Sequence, residues 1–284
     1  MLFKSGWEVM IFRRKVVTLQ FQKRRRSVKI KQVLEALERF APLPLQESWD
    51  NAGLQIGLTE AEVSGALLCL DVTESIVEEA AKKGCNLVVS HHPLLFRGLK
   101  QVADLNDVQR TVRRAIKNDI AVVSMHTNLD NAPGGVNFKI AERLGLKDVS
   151  FGDGALEKGQ WVMGELERPM EARAFIAHVK ERLEAQSAMC NELLNRQIRR
   201  VAICGGAGDF VLDEAVAKGA DAFLTGEMHY HQYFGYEQQL QICVVGHYES
   251  EHFTKELLRD IIQRECPGVR CELAETNTNP ILYM

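Results

Sequence analysis

Seven of the eight histidines in this 284-residue chain follow or close segments that read as β-strands. His91 and His92 follow CNLVVS (85–90), and His126 follows IAVVSM (120–125). His229 and His231 follow DAFLTGE (221–227), while His247 and His252 stand at and after the end of QICVVGH (241–247). Carboxylates accompany them: Asp130 after His126, Glu227 at a strand end, Glu251 after His247. Imidazole and carboxylate without thiolate suit a divalent Zn, Mn, Fe or Ni ion. In parallel α/β sheets, ligands bind beyond the carboxyl ends of the strands. The concentration of histidines there predicts a metal site. His178, on a helical segment away from these ends, is expected to be a surface or packing residue.

The adjacent pair in 87-LVVSHHPLLF-96 is unusual. Neighbouring side chains of an extended chain point to opposite faces, so His91 and His92 are poorly placed to grip a single ion. They suit two ions, one imidazole each, with a carboxylate bridging ions that lie about 3.5–4 Å apart in known two-metal sites. Pro93 fixes the backbone just beyond the pair. His247 and Glu251 are spaced to share one face at the start of a helix. His126 and Asp130 have the same spacing, but in a segment with Pro133, Gly134 and Gly135 that reads as a loop.

The elements that must position these residues alternate. Apolar periodicity predicts a helix in VKIKQVLEALERFA, followed by a turn-rich loop, 48–57, and a short strand. Strands follow at 65–72, 85–90 and 120–125, with helices at 74–83, 106–118 and 138–146. After a less patterned stretch, 147–199, the rhythm resumes with strands at 199–206, 221–227, 241–247 and 269–274, and a helix from Tyr248 to about Arg264. Strand–helix alternation predicts an α/β fold of two lobes, with mostly parallel sheets covered by helices. The expected division is 1–27 as a basic extension, 28–146 as the first lobe, 147–199 as a connecting segment and 200–284 as the second lobe, the whole forming one metal-binding unit.

Composition excludes several classes. Charge is nearly balanced, with 35 basic and 38 acidic residues, so the chain does not advertise nucleic-acid binding. No apolar run approaches the roughly 20 residues of a membrane span. The seven cysteines include no CxxC. Cys69, Cys204 and Cys243 lie in apolar runs and read as small buried hydrophobes in a reducing cytoplasm, with a zinc-thiolate site as the lesser alternative. Residues 1–27 hold eight basic residues against Glu8. A nucleic-acid arm, an Arg-rich presequence and a mis-assigned start preceding Val28 all fit, and the last is favoured. A peptide from residues 5–20 in the native protein would rule it out.

Gly205-Gly206-Ala207-Gly208 lacks the spacings of known phosphate loops. A phosphate cradle and a plain tight turn both remain open there, the turn being preferred. Trp49 and Phe96 are expected to pack rather than to stack on a base.

The segments SWDNAGLQIG, SHHPLLF, HTNLDNAPGGVN, DAFLTGEMHYH, GHYESE and ETNTNPI, taken together, resemble the NIF-three-like proteins. These are dinuclear-metal hexamers often named GTP cyclohydrolase I type two homologues. The resemblance implies two divalent ions per chain, held by His91, His92, Asp130, His247 and Glu251. Glu251 would be the bridge, and His126 a direct or indirect ligand. It also implies a homo-oligomer, a toroidal hexamer with the metals facing an internal cavity. Glu227 and His231 would line the site. The stretch 147–199 is too short for the domain inserted in longer relatives.

The expected function is metal-dependent hydrolysis of a nucleotide or related small molecule, with Glu227, His229 or His231 as general acid or base. A GTP cyclohydrolase activity has no independent support from guanine-recognising residues. The alternative is a non-catalytic role as metal-binding scaffold, metal chaperone or partner-binding regulator.

Overall fold

A computed structural model describes residues 27–284, together with the backbone of two short strands, β1 (Glu8–Phe12) and β2 (Lys15–Leu19), which pair antiparallel with each other. Readings of the basic N-terminal stretch otherwise lie outside the described residues.

Helix α1 (Ile30–Phe40) buries Ile30, Val33, Ala36 and Leu37 along one stripe. It leads through a 3-10 turn, Leu43–Leu45, into strand β3 (Gly53–Ile56). Then follow β4 (Ala66–Cys69), α2 (Glu74–Lys82), β5 (Leu87–Ser90), α3 (Asp107–Lys117) and β6 (Ala121–Ser124). Thr73 caps α2 and Asn106 caps α3, each side chain accepting from a backbone N–H three residues on. β4, β5 and β6 are buried at every position, as parallel strands covered on both faces must be.

The chain continues with α4 (Thr127–Asp130), α5 (Val136–Leu144), β7 (Lys147–Phe151), β8 (Val162–Met170), α6 (Ala172–Arg182) and β9 (Met189–Cys190). It closes with β10 (Ile198–Ala207), α7 (Leu212–Ala217), β11 (Ala222–Glu227), β12 (Gln241–Val244), α8 (His247–Glu251), α9 (Thr254–Glu265) and β13 (Cys271–Leu273).

Two sheets result. One runs β13-β4-β5-β6-β3, parallel except at the β6–β3 edge. The other runs β7-β8-β10-β11-β12-β9, with a parallel centre, β10-β11-β12, and antiparallel flanks. The α/β class expected from the sequence is therefore observed. Segment 147–199 does more than connect, since it supplies β7, β8 and β9 to the second sheet. β13 leaves the second sheet's part of the chain and pairs with β4 of the first.

Two local expectations are corrected. The 126–137 loop contains the helical turn α4, because the Asp50 carboxylate receives the Thr127 N–H at 3.0 Å and initiates it. The single helix expected from Tyr248 is two, α8 and α9, divided at His252 and Phe253. Phe253 is fully buried, and the Arg143 guanidinium lies 4.9 Å from the centre of its ring.

Candidate metal centre

The carboxyl ends of the two sheets face each other, and the histidines meet between them. His91 and His92 leave β5, His126 leaves β6, and His247 opens α8 just after β12. The hydroxyls of Ser90 and Ser124 both reach the His92 carbonyl, at 2.8 and 3.3 Å, and fix the peptide that follows the pair.

Each ring is oriented through Nδ1. His91 Nδ1 lies 2.7 Å from the Met125 carbonyl, His92 Nδ1 2.7 Å from Asp71 Oδ1, His126 Nδ1 2.7 Å from Asp50 Oδ1, and His247 Nδ1 3.2 Å from Glu227 Oε1. A carbonyl or carboxylate only accepts, so Nδ1 of His91, His92 and His126 carries a proton, and an Nε2 without one would present its lone pair to an ion. Metal-binding histidines are fixed by outer partners in this way.

The Nε2 atoms of His91, His92 and His247 converge on Glu251, which is 3% exposed. Its Oε2 lies 3.0 Å from both His92 Nε2 and His247 Nε2, and those two nitrogens are 3.3 Å apart. Its Oε1 is 3.7 Å from His91 Nε2, which is also 3.6 Å from Asp130 Oδ1. Ligands about 2.1 Å from a shared tetrahedral ion lie roughly 3.4 Å from one another, so these spacings fit coordination. His91 is fully buried, and its Nε2 has no hydrogen-bond partner among the described residues. A buried lone pair facing two carboxylates at more than hydrogen-bonding distance asks for a cation between them.

Electrostatics agree. Burial works against charge on His92, but the Asp71 and Glu251 carboxylates outweigh it and raise the imidazole to about 10. Burial also opposes the charge on Glu251, yet hydrogen bonding to the surrounding histidines holds its carboxyl well below the usual range. Burial raises Asp130. Asp50 sits at about 2 against its desolvation, because His126 and Thr127 bind its charged form. The proton that His92 retains occupies the place a metal ion would take.

Three donor groups follow: His91, Asp130 and Glu251; His92, His247 and Glu251; and His91, His92 and His126, with the donor atoms in each within 4.8 Å. The first two share Glu251 and divide the adjacent histidines between them. His126 and Asp130 do share a helical turn, since the Asp130 N–H donates to the His126 carbonyl at 3.1 Å.

Of the three candidate proton carriers, only Glu227 reaches the cluster, through His247. His229 is 89% exposed and pairs with Asp209 at 3.3 Å, lining a separate cavity of about 380 Å³ that Glu227 and His247 also border. His231 sits on the exposed turn Tyr230–Tyr233, its ring against Tyr230 and Phe234, outside the cluster. His178 meets the Leu144 carbonyl at 2.9 Å, a packing role as expected. Cys69, Cys204 and Cys243 are buried, and burial pushes their thiols up.

Of the two orienting carboxylates, Asp71 is among the residues found beyond predicted strand ends in the sequence, and Asp50 is not. Asp71 follows β4 just as the histidines follow their strands, which was the available signal. Thr278 also contributes, donating to Asp71 Oδ2 at 2.7 Å. The glycine run is neither a phosphate cradle nor a turn. Gly205 and Gly206 belong to β10, and the N–H groups of Gly205, Gly206 and Gly208 are spent on Asn137, Ser250 and Thr225. Gly206 has φ +60, and a Cβ there would lie 2.6 Å from Glu251 Oε1.

Beside the cluster opens a cleft of about 660 Å³. Trp49 and Phe96 line it, 58% and 45% exposed. Their rings pack against each other and against His126 at the cleft wall rather than in the core, on two segments joined by the hydrogen bonds of Asn51 and Gln55 to Leu95.

Fold and site together define a class: an α/β chain whose two sheets meet on a histidine–carboxylate cluster able to hold metal. The family model for Duf34/NIF3 (NGG1p interacting factor 3) matches residues 28–280, and the chain belongs to that family. It is 32% identical over 230 residues to the GTP cyclohydrolase 1 type 2 homolog of Clostridium acetobutylicum, covering 79% of this chain and 86% of that one. It is 33% identical over 261 residues to the protein of the same name from Lactococcus lactis, covering 89% and 98%. The crystal structure of a Staphylococcus aureus hypothetical protein superimposes with a TM-score of 0.83 at 30% identity, over 91% of this chain and 100% of that one. The resemblance drawn from sequence motifs is thus borne out.

Proposed function

We propose that this chain binds two divalent ions and hydrolyses a nucleotide or related small molecule. The observation that carries the reading is the pair of donor triads sharing Glu251, with the buried, unpartnered Nε2 of His91 between two carboxylates. His91 and Asp130 would hold one ion, His92 and His247 the other, and Glu251 both. Zn, Mn, Fe and Ni all accept such nitrogen and oxygen donors. Two ions would supply Lewis acidity toward the bond under attack and a nucleophile near neutral pH.

The chain's own residues do the rest. Met125 and Asp71 hold His91 and His92 through Nδ1, and Glu227 stands 3.2 Å from His247 Nδ1, so that each Nε2 is turned toward the carboxylates of the cluster. Asp50 fixes His126 in the same tautomer at the cleft wall, where its Nε2 is available to a ligand or a transferring proton. Glu227 is 57% exposed and can exchange a proton with solvent through its contact with His247.

GTP as the substrate has weaker support. The cleft is lined by no lysine or arginine among the described residues, so a triphosphate would find no cationic side chain there beyond the imidazoles. The reading includes a cytoplasmic setting and assembly into the toroidal homohexamer the family resemblance implies, which light scattering on the purified protein would check. No helix of the described residues is long and apolar enough to cross a membrane.

The test is product release from a nucleotide panel by metal-loaded protein beside a His91→Ala control. Turnover in the parent that the variant lacks supports hydrolysis. Absence of turnover across the panel, with metal retained, leaves the non-catalytic scaffold or chaperone role.

A further inference from the structure

Two cysteines outside the histidine cluster face each other across an antiparallel ladder. Cys190 is exposed on β9, the outermost strand of the second sheet, and Cys243 is buried in β12. The register pairs Cys190 with Cys243 and Met189 with Val244. Directly opposed residues of such a ladder carry their side chains on the same face, so both thiols project from one face at the sheet edge.

The pair occupies the closer of the two kinds of antiparallel position. Successive residues of a strand turn their backbone N–H and C=O groups to opposite neighbours. The Gln241 and Val245 N–H groups donate to the Asp221 and Thr225 carbonyls, at 2.9 and 3.2 Å, on the β11 side. The Ile242 N–H turns the other way, to Asn191 Oδ1 at 2.9 Å. Cys243 is in phase with Gln241 and Val245, so its own backbone groups point to β11. Cys190 and Cys243 are therefore a non-hydrogen-bonded pair. Such pairs hold their Cα atoms about 4.5 Å apart, inside the roughly 4.4–6.8 Å that a disulfide spans.

Asn191 secures that register. Its Oδ1 also accepts from Gln241 Nε2 at 2.9 Å, and its Nδ2 donates to the Leu240 carbonyl at 2.8 Å. The residue after Cys190 is thus clamped to the residues just before Cys243, which keeps the two strands from slipping. Reactivity divides between the cysteines. Exposure lets a dissolved oxidant reach Cys190. Burial, and then the neighbouring Cys190, push the Cys243 thiol up to about 12, which suits a partner that reacts only after Cys190 has been oxidised.

We propose that Cys190 and Cys243 form a disulfide when the protein meets a peroxide. The Cys190 thiolate attacks one oxygen of hydrogen peroxide, the O–O bond breaks, and the hydroxide that leaves takes up the proton Cys190 released. Cys190 is then a sulfenic acid. The Cys243 sulfur attacks the Cys190 sulfur, the S–S bond forms and the S–O bond breaks. The Cys243 proton departs with that hydroxyl as water. The two thiols give up two electrons, and the peroxide is reduced to water. The bond fastens edge strand β9 to β12, the strand that leads into His247. Ser187 and Met189, beside Cys190, line the cavity that Glu227 and His247 border, so oxidation fixes one wall of it. The inference requires neither bound metal nor turnover at the cluster.

The test is exposure of the full chain to hydrogen peroxide, alkylation of the remaining thiols in denaturant, and digestion without reductant. Mass spectrometry is expected to find the peptides bearing Cys190 and Cys243 joined, and separated again by dithiothreitol. Maleimide labelling of Cys190 in the folded protein is lost after peroxide and restored by the same reductant. Cys243→Ala keeps an apolar side chain at the buried position and removes the partner. In that variant Cys190 is expected to run on to sulfinic acid, which dithiothreitol does not reverse. Cys190→Ser is expected to leave Cys243 a free thiol after the same treatment. A parent in which Cys190 reaches sulfinic acid while Cys243 stays free overturns the inference. So does a bridge from Cys190 to another cysteine or to a second chain, and so does treated protein with both thiols intact.

Discussion

Replacing Asp71 by asparagine probes the link between the outer carboxylates and the cluster. Asp71 Oδ1 lies 2.7 Å from His92 Nδ1, and its other oxygen accepts from Thr278. The amide keeps the shape and removes the charge. A charge-assisted hydrogen bond contributes about 1.5–3 kcal/mol and a neutral one about 0.5–1.5. The difference of about 1–2 kcal/mol corresponds to a roughly 5- to 30-fold loss of metal affinity at the ion that His92 would hold. That overlaps the roughly 10- to 100-fold effect of losing such outer partners elsewhere.

The pH dependence gives a second handle. Burial lowers His92, but Asp71 and Glu251 raise it to about 10 in the ion-free protein. An ion binding there between pH 7 and 9 must displace that proton, so apparent affinity rises about tenfold per pH unit. Asp71→Asn removes one of the two carboxylates that raise the ring, so His92 falls toward its ordinary value and the slope flattens. The sign for the ion-free fold is the reverse. A raised pKa contributes stability below about 6.5, and that contribution is lost as pH rises through about 10. Competition against a chromophoric chelator at several pH values measures both quantities. A variant that binds within about twofold of the parent and keeps its slope would refute the coupling.

Gly206→Ala should lower stability by about 1–3 kcal/mol in denaturant titration and reduce metal content, because the added methyl meets Glu251 at a left-handed backbone position. Glu79→Gln should speed hydrogen exchange in residues 275–284, at a stability change of about 1 kcal/mol. Glu79 accepts from the Glu275 and Thr276 N–H groups at 2.9 and 3.0 Å, and desolvation of its carboxyl is outweighed by Lys83 and Thr276, which hold it at about 2. Because that pKa is depressed, the tail's attachment in the parent is secure above about pH 4.5 and is lost as pH falls toward 2. His231→Ala should leave the metal content at the parent value, since that ring lies outside the cluster; a drop on elemental analysis would contradict the placement.

The parts of the fold legible in the sequence are those dictated by local pattern. β4, β5, β6 and β12 are short, mostly apolar strands buried at every position, with Ser90, Ser124 and Gln241 as the polar exceptions at their ends. The histidines after them could be assigned to one end of the sheets by the rule that ligands sit beyond parallel strand ends. What was not legible depends on residues distant in sequence. α4 looked like a loop because the carboxylate that initiates it, Asp50, arrives from 77 residues away. The return of β13 to β4 is a pairing that no local pattern encodes. His229 and His231 follow a strand as closely as the others do, but the chain turns at Tyr230–Tyr233 and carries them outward. Trp49 and Phe96 have the composition of core residues; only the hydrogen bonds of their neighbours Asn51 and Gln55 reveal that they are held in the open.

The central claim is that the adjacent histidines divide between two ions bridged by Glu251. Elemental analysis of the purified protein, beside His91→Ala and His92→Ala, tests it most directly. The account predicts about two ions per chain in the parent and a reduced count in each variant, as expected when each triad loses one of its nitrogen donors. A parent that carries one ion or none after purification without chelators, or a variant that keeps the full count, would contradict it.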